Sequence, residues 1–168
     1  APVPEIKVPP SQGPQRNPLF TMPGSGAKDQ PKKPFRLSAD EVVAFVSTLG
    51  TKKQLQELVA EGDVRVLQDG ETPKDKGVDI IGDMLNLVYH PLGNRIWVLG
   101  TRRSAQLQVG ELTLVGPKID IDQKDNTAAV DGVGAMKMPS NTSFDGGAPA
   151  KEGATITIHW NKDMLFNG

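Results

Sequence analysis

The sequence predicts an all-β fold of stacked antiparallel hairpins that share one core, preceded by a disordered arm. Three observations predict it. From Gly62 onward apolar and polar residues alternate with a period of two, the signature of half-buried strands. The second half of the chain states one pattern twice: Ile81-Gly82-Asp83-Met84-Leu85-Asn86-Leu87 returns as Val115-Gly116-Pro117-Lys118-Ile119-Asp120-Ile121. Likewise Arg95-Ile96-Trp97-Val98-Leu99-Gly100 returns as Thr127-Ala128-Ala129-Val130-Asp131-Gly132, so Gly82 aligns with Gly116 and Val98 with Val130. A repeat of about 33 residues made of strands means hairpins stacked on a common core. Finally, nine of the fourteen prolines fall before residue 35, where no periodicity survives.

Residues 1–36 read as a disordered proline-rich linker with stretches of polyproline II. The six cations there, against Glu5 and Asp29, give +4, which leaves −5 for the rest of a chain whose net charge is −1. Such an arm suits an anionic surface or simple solvation. The globular part, 37–168, fits one domain. Ser38-Ala39-Asp40-Glu41 has capping-box spacing, yet Val42, Ala44 and Val46 alternate and the β-branched valines disfavour a short helix. The reading is therefore strand over 39–47, a turn or short helical insert over 48–55, and strand over 57–67. Gly70, Pro73 and Gly77 mark a loop. Strands follow near 78–89, 95–100, 104–109, 111–115, 118–123, 127–131, 133–138 and 154–160, separated by turn chemistry such as Pro91-Leu92-Gly93-Asn94 and Lys124-Asp125-Asn126. Residues 139–153 form a longer loop. With aromatic residues at 5%, a tryptophan-centred immunoglobulin-like sandwich is disfavoured.

Alternation sorts the faces. Leu85, Leu87, Tyr89, Ile96, Val98, Leu107, Val109, Leu112, Leu114, Ile119, Ile121, Val130, Met136, Met138, Ile156, Ile158 and Trp160 fall on the apolar side. A slip of one residue would exchange the two faces, so the register is strongly specified.

The chemistry-bearing residues do not assemble into a catalytic set. His90 sits in a turn and His159 on the polar side of a strand, neither beside a serine or carboxylate pattern that would orient a base. Asp120-Ile121-Asp122-Gln123-Lys124-Asp125-Asn126 holds three carboxylates, but its spacing is not that of a calcium loop; it reads as a solvated face plus a turn. Gly132-Val133-Gly134 precedes no helix and is not a phosphate loop. Asn141-Thr142-Ser143 is a formal glycosylation sequon. There is no cysteine, hence no disulfide or thiolate metal site, and no apolar run long enough for a membrane span. No catalytic residue, metal or cofactor is expected, nor a nucleic-acid partner.

The strand phrases Leu37-Ser38-Ala39-Asp40-Glu41-Val42, Ala60-Glu61-Gly62-Asp63-Val64-Arg65-Val66, Ile81-Gly82-Asp83-Met84-Leu85 and Ile96-Trp97-Val98-Leu99-Gly100 resemble, in their order, the OstA-like domain of the lipopolysaccharide-transport periplasmic proteins. The second copy and the stretch from Ile158 to Gly168 add to the resemblance, which covers 37–168 through short motifs. The style is also similar to large planctomycete envelope proteins. The resemblance implies an antiparallel OstA-like β-jelly roll open along one side, whose interior holds acyl chains of lipopolysaccharide or a similar amphipathic lipid. It implies a periplasmic or cell-envelope location in a Gram-negative-type bacterium, and partner OstA-like domains joined by edge-strand pairing. The expected groove lining is Leu85, Leu87, Ile96, Val98, Leu112, Leu114, Ile119, Ile121, Val130, Met136, Ile156 and Ile158. The chain departs from the pattern in its proline-rich arm, its 48–56 insert, and an end at Gly168 that reads as the middle of a repeat, as in a truncated domain. Three function classes remain: a lipid-handling binding module, a structural or assembly module with a closed core and no ligand, and an enzyme such as a polysaccharide hydrolase, for which only scattered carboxylates speak.

Overall fold

A computed structural model describes residues 34–70, 72–140 and 154–167. Within these residues twelve strands, all paired antiparallel, form one hydrogen-bonded sheet. They are β1 (Phe35–Ser38), β2 (Glu41–Leu49), β3 (Lys52–Gln68), β4 (Val78–Val88), β5 (Arg95–Leu99), β6 (Ala105–Val109), β7 (Leu112–Gly116), β8 (Lys118–Asp122), β9 (Thr127–Asp131), β10 (Gly134–Pro139), β11 (Thr155–Trp160) and β12 (Asp163–Asn167). The fold class is the all-β, antiparallel, jelly-roll-like one expected, and no described residue is helical.

Two long strands divide the sheet into halves. The front part of β4 pairs with β6 and its back part with β5. On its other edge β4 pairs with β3, whose two ends carry β2 and β1. One half-sheet therefore runs β1-β3-β4-β6-β7-β10-β11 and the other β2-β3-β4-β5-β8-β9-β12. The inner faces of both are buried although no helix covers them, so the half-sheets pack on each other. The crease falls where β3 carries a bulge: Gly62 and Asp63, both at positive φ, lie between the registered pairs Glu61↔Met84 and Val64↔Gly82. Later crossings between the halves fall at Gly100, Gly116-Pro117, Gly132-Val133 and Asn161-Lys162.

The repeat has a steric meaning at this crease. A Cβ on Gly82 would run into Cγ1 of Val98, and one on Gly116 into Cγ1 of Val130. The two glycine–valine pairs aligned in the sequence thus make the same close approach in successive hairpins.

Four sequence expectations differ. The turn expected within 48–55 is there but is only Gly50-Thr51, with Gly50 at φ 63°, and no helix forms: β2 continues to Leu49 and β3 starts at Lys52. A bulge between Phe45 and Val46, where Gln56 is the extra residue, breaks the alternation and hides the full length of the two strands. A strand also begins at Phe35, ahead of the expected boundary at 37, because Phe35 and Arg36 pair with Gln68 and Leu67. A twelfth strand follows Trp160, with Met164 and Phe166 opposite Val130 and Ala128. Ile156 and Ile158 take the inner face opposite Met138 and Met136 but stay 39% and 41% exposed, because β11 is a terminal strand with little across from it. The expected arm up to Lys33 and the sequon lie outside the described residues.

Candidate functional site

The inner face is graded from crease to rim. Ala60, Val64, Val98, Ala105, Ile119 and Val130, nearest the crease or in the middle hairpins, are fully buried. Toward the hairpin tips, Leu58, Val66, Val78, Leu87, Leu112 and Met136 stay buried but retain some exposure. At the rim, Leu55 and Tyr89 of one half and Val109 and Met138 of the other are only partly buried. Burial pushes the Tyr89 hydroxyl up from its ordinary pKa. The core is therefore closed along the crease and, through Ile121 and Ala128, out to the β8–β9 turn, and thins at the rest of the rim.

A crevice opens between the halves at the β1 end. Its walls are Phe35, Leu37, Val66 and Ile80 from one half-sheet and Leu58, Leu85, Leu87 and Ile96 from the other, with no polar lining. Its enclosed space of about 10 Å³ holds roughly one water-sized body. Phe35 and Leu37 belong to a four-residue strand held by β3 alone among the described residues.

The residues expected to line a groove divide into three groups. Leu85, Leu87 and Ile96 line the crevice. Val98, Leu112, Leu114, Ile119, Ile121, Val130 and Met136 lie in the packed interior. Ile156 and Ile158 form an uncovered inner strip on β11, beside which Trp160, Met164 and Phe166 are partly buried against the core. Phe35, Leu37, Met164 and Phe166 are not among the expected lining, because all four lie outside the strands expected from the sequence.

The polar groups hold the scaffold. Asp83, beside Gly82 at the crease, accepts through Oδ2 from the backbone N–H of Thr101 at 2.7 Å and of Arg102 at 2.8 Å, and from the Thr101 hydroxyl. Its Oδ1 makes no hydrogen bond but lies 3.3 Å from Arg102 Nη2. The Arg102 and Thr101 N–H groups hold this carboxyl well below the usual carboxylate range. At the other end of the crease, Asp163 accepts from the Gly132 N–H and Trp160 Nε1 donates to the Gly132 carbonyl. Neither staple was visible in the sequence, where Asp83 and Asp163 look like any strand-end carboxylate.

The acidic stretch is likewise engaged. Asp120 takes a two-point hydrogen bond from Arg95, and Asp122 accepts from the N–H groups of Lys124 and Asp125 to close the β8–β9 turn. His90 Nδ1 accepts from the Leu92 N–H within its own turn, and His159 is exposed on the outer face. Among the described residues no group of three or more potential ligand side chains is placed to hold a metal ion.

No family model and no curated protein matches the chain. Among solved structures it is similar to LptH of Pseudomonas aeruginosa, the LptA homologous periplasmic component of the conserved lipopolysaccharide transport device. Identity is 15%, the match covers 80% of this chain and 76% of that one, and the TM-score is 0.47.

Proposed function

We propose that this chain is a lipid-handling binding module of a bacterial envelope, in the periplasm or at the outer membrane, that takes an acyl chain of lipopolysaccharide or a similar amphipathic lipid between its half-sheets. The supporting observation is the wholly apolar crevice at the β1 end, set on an inner face that remains uncovered again at β11. The strand phrases resembling OstA-like domains point the same way. Among the described residues the crevice is lined by apolar side chains that offer no base, nucleophile or oxyanion donor, so the reading is one of binding rather than catalysis.

The crevice as it stands is too narrow for an acyl chain, so binding requires a wall to move. The least costly wall is β1. It is short, it is held along one edge, and its displacement frees Phe35 and Leu37 without disturbing the crease. Transfer between modules then follows from edge pairing. Among the described residues β1 and β2 bond only to β3, β11 only to β10 and β12 only to β9, which leaves free strand edges at both ends of the inner face.

A second reading has its own observation. Val98, Leu107, Leu114, Ile119, Ile121 and Val130 are completely buried, so the middle of the molecule is an ordinary closed core. That suits a structural or assembly module with no ligand. Titration of a fluorescent fatty acid and of a lipid A-like probe separates the two. Each methylene buried contributes about 0.8 kcal/mol, so micromolar, saturable binding is expected after association costs. Phe35→Ser should weaken it. Absence of saturation at high micromolar probe, with the fold intact, selects the closed structural module.

A further inference from the structure

We infer that the projecting tip of the β2–β3 hairpin, together with Leu92 on the neighbouring turn, is a docking element for an anionic lipid bilayer surface. Five of the eleven exposed large apolar residues among the described residues belong to a single strand. Val42, Val43, Phe45, Val46 and Leu49 all lie on β2, with Leu49 72% exposed. Pairing of β3 with β4 ends at Glu57↔Val88, and one further backbone bond, from the Tyr89 N–H to the Gln56 carbonyl, closes that edge. Pairing of β2 with β3 runs on to Leu49↔Lys52. The hairpin therefore stands out beyond its neighbour. Leu92, 67% exposed, tops the adjacent β4–β5 turn on the same rim.

Two features select a bilayer over a protein partner. The apolar residues face both ways: Val46 lies on the inner face opposite Leu55, while Phe45, opposite Glu57, lies on the outer face. A protein that docks on a sheet covers one face, whereas a headgroup layer surrounds an inserted tip. The charge is also one-sided. Between Glu41 and Glu57 the hairpin carries Lys52 and Lys53 and no carboxylate. Neither lysine is ion-paired among the described residues. Lysine stems can lie along apolar surface while the ammonium groups meet lipid phosphates. The backbone edge of β2 that is free among the described residues sets the depth: its N–H and C=O groups would be costly in the hydrocarbon core, so the tip stays in the hydrated interface.

The test is co-sedimentation of the full chain with vesicles of phosphatidylcholine alone and of equal parts phosphatidylcholine and phosphatidylglycerol. Binding to the anionic vesicles only is expected, falling with salt. Lys52→Glu with Lys53→Glu should weaken it by about tenfold or more, and Leu49→Ser should weaken it severalfold. Leu165→Ser, at a site 73% exposed on β12, should leave it unchanged. These variants are on the surface and keep the basic segment 1–36. If they bind as the parent does, that segment is the anchor and the hairpin proposal is overturned. It is overturned equally if the parent ignores anionic vesicles, or if Leu165→Ser weakens binding as much as Leu49→Ser. A Leu49→Ser variant that loses self-association in lipid-free buffer but keeps vesicle binding would make the tip an interface between copies instead. Fatty-acid binding by the crevice is read separately and is expected to be unaffected in all of these variants.

Discussion

Single side chains show how differently the two faces weigh. Ile121 is fully buried between Ile96 and Ala128 in the register of β5, β8 and β9. Ile121→Asp places a charge in that interior and should destabilise the fold by at least about 3 kcal/mol, measured as a fall in denaturant midpoint. Ile158→Asp, on the uncovered strip, should cost less than about 1 kcal/mol; equal losses would mean that the inner face is not graded as described. Asp83 makes a second, pH-dependent case. Its pKa is depressed in the folded state, so its contribution is fully present above the unfolded carboxylate value and is lost as pH falls toward the folded one. The stability difference between the parent and Asp83→Asn should therefore be constant near neutrality and shrink from about pH 5 downward. Denaturation curves across that range check it, and a gap that widens in acid would contradict the assigned hydrogen bonds.

At the scale of the element, Gly82 and Gly116 serve the crease by leaving space rather than by backbone freedom, since neither has positive φ. Gly116→Ala should cost about 1–3 kcal/mol through overpacking against Val130. Val130→Ala in the same chain should recover part of that loss, giving a coupling outside additivity in a double-mutant cycle. Additive losses would show that the clash is relieved elsewhere. The repeat of glycine and valine was legible in the sequence because it recurs at fixed spacing. The two strands of the β2–β3 hairpin were legible but their full length was not, because one bulge residue shifts the alternation out of phase and imitates an irregular insert.

At the scale of the whole molecule, the described residues form a sheet folded on itself with free edges at both ends. Such edges recruit further strands unless charges or prolines blunt them, and β11 carries neither within Thr155–Trp160. The protein should self-associate with rising concentration in sedimentation experiments, and Ile158→Lys should shift it toward monomer. A parent that stays monomeric at every concentration would remove the basis for end-to-end modules.

The sequence by itself determined the all-β class, most strand positions, the inner and outer faces from β4 to β10, and the repeat. These follow from period-two alternation and turn chemistry, which are local properties of the chain. Only the tertiary structure decided that β3 and β4 each serve both half-sheets, that seven of the expected lining residues lie in closed core while three border a crevice, and that Asp83 staples the crease. Those outcomes depend on which surfaces meet across the fold. An alternating strand carries the same pattern whether its apolar face meets another sheet, a ligand or solvent, so burial along a common face was left for packing to settle.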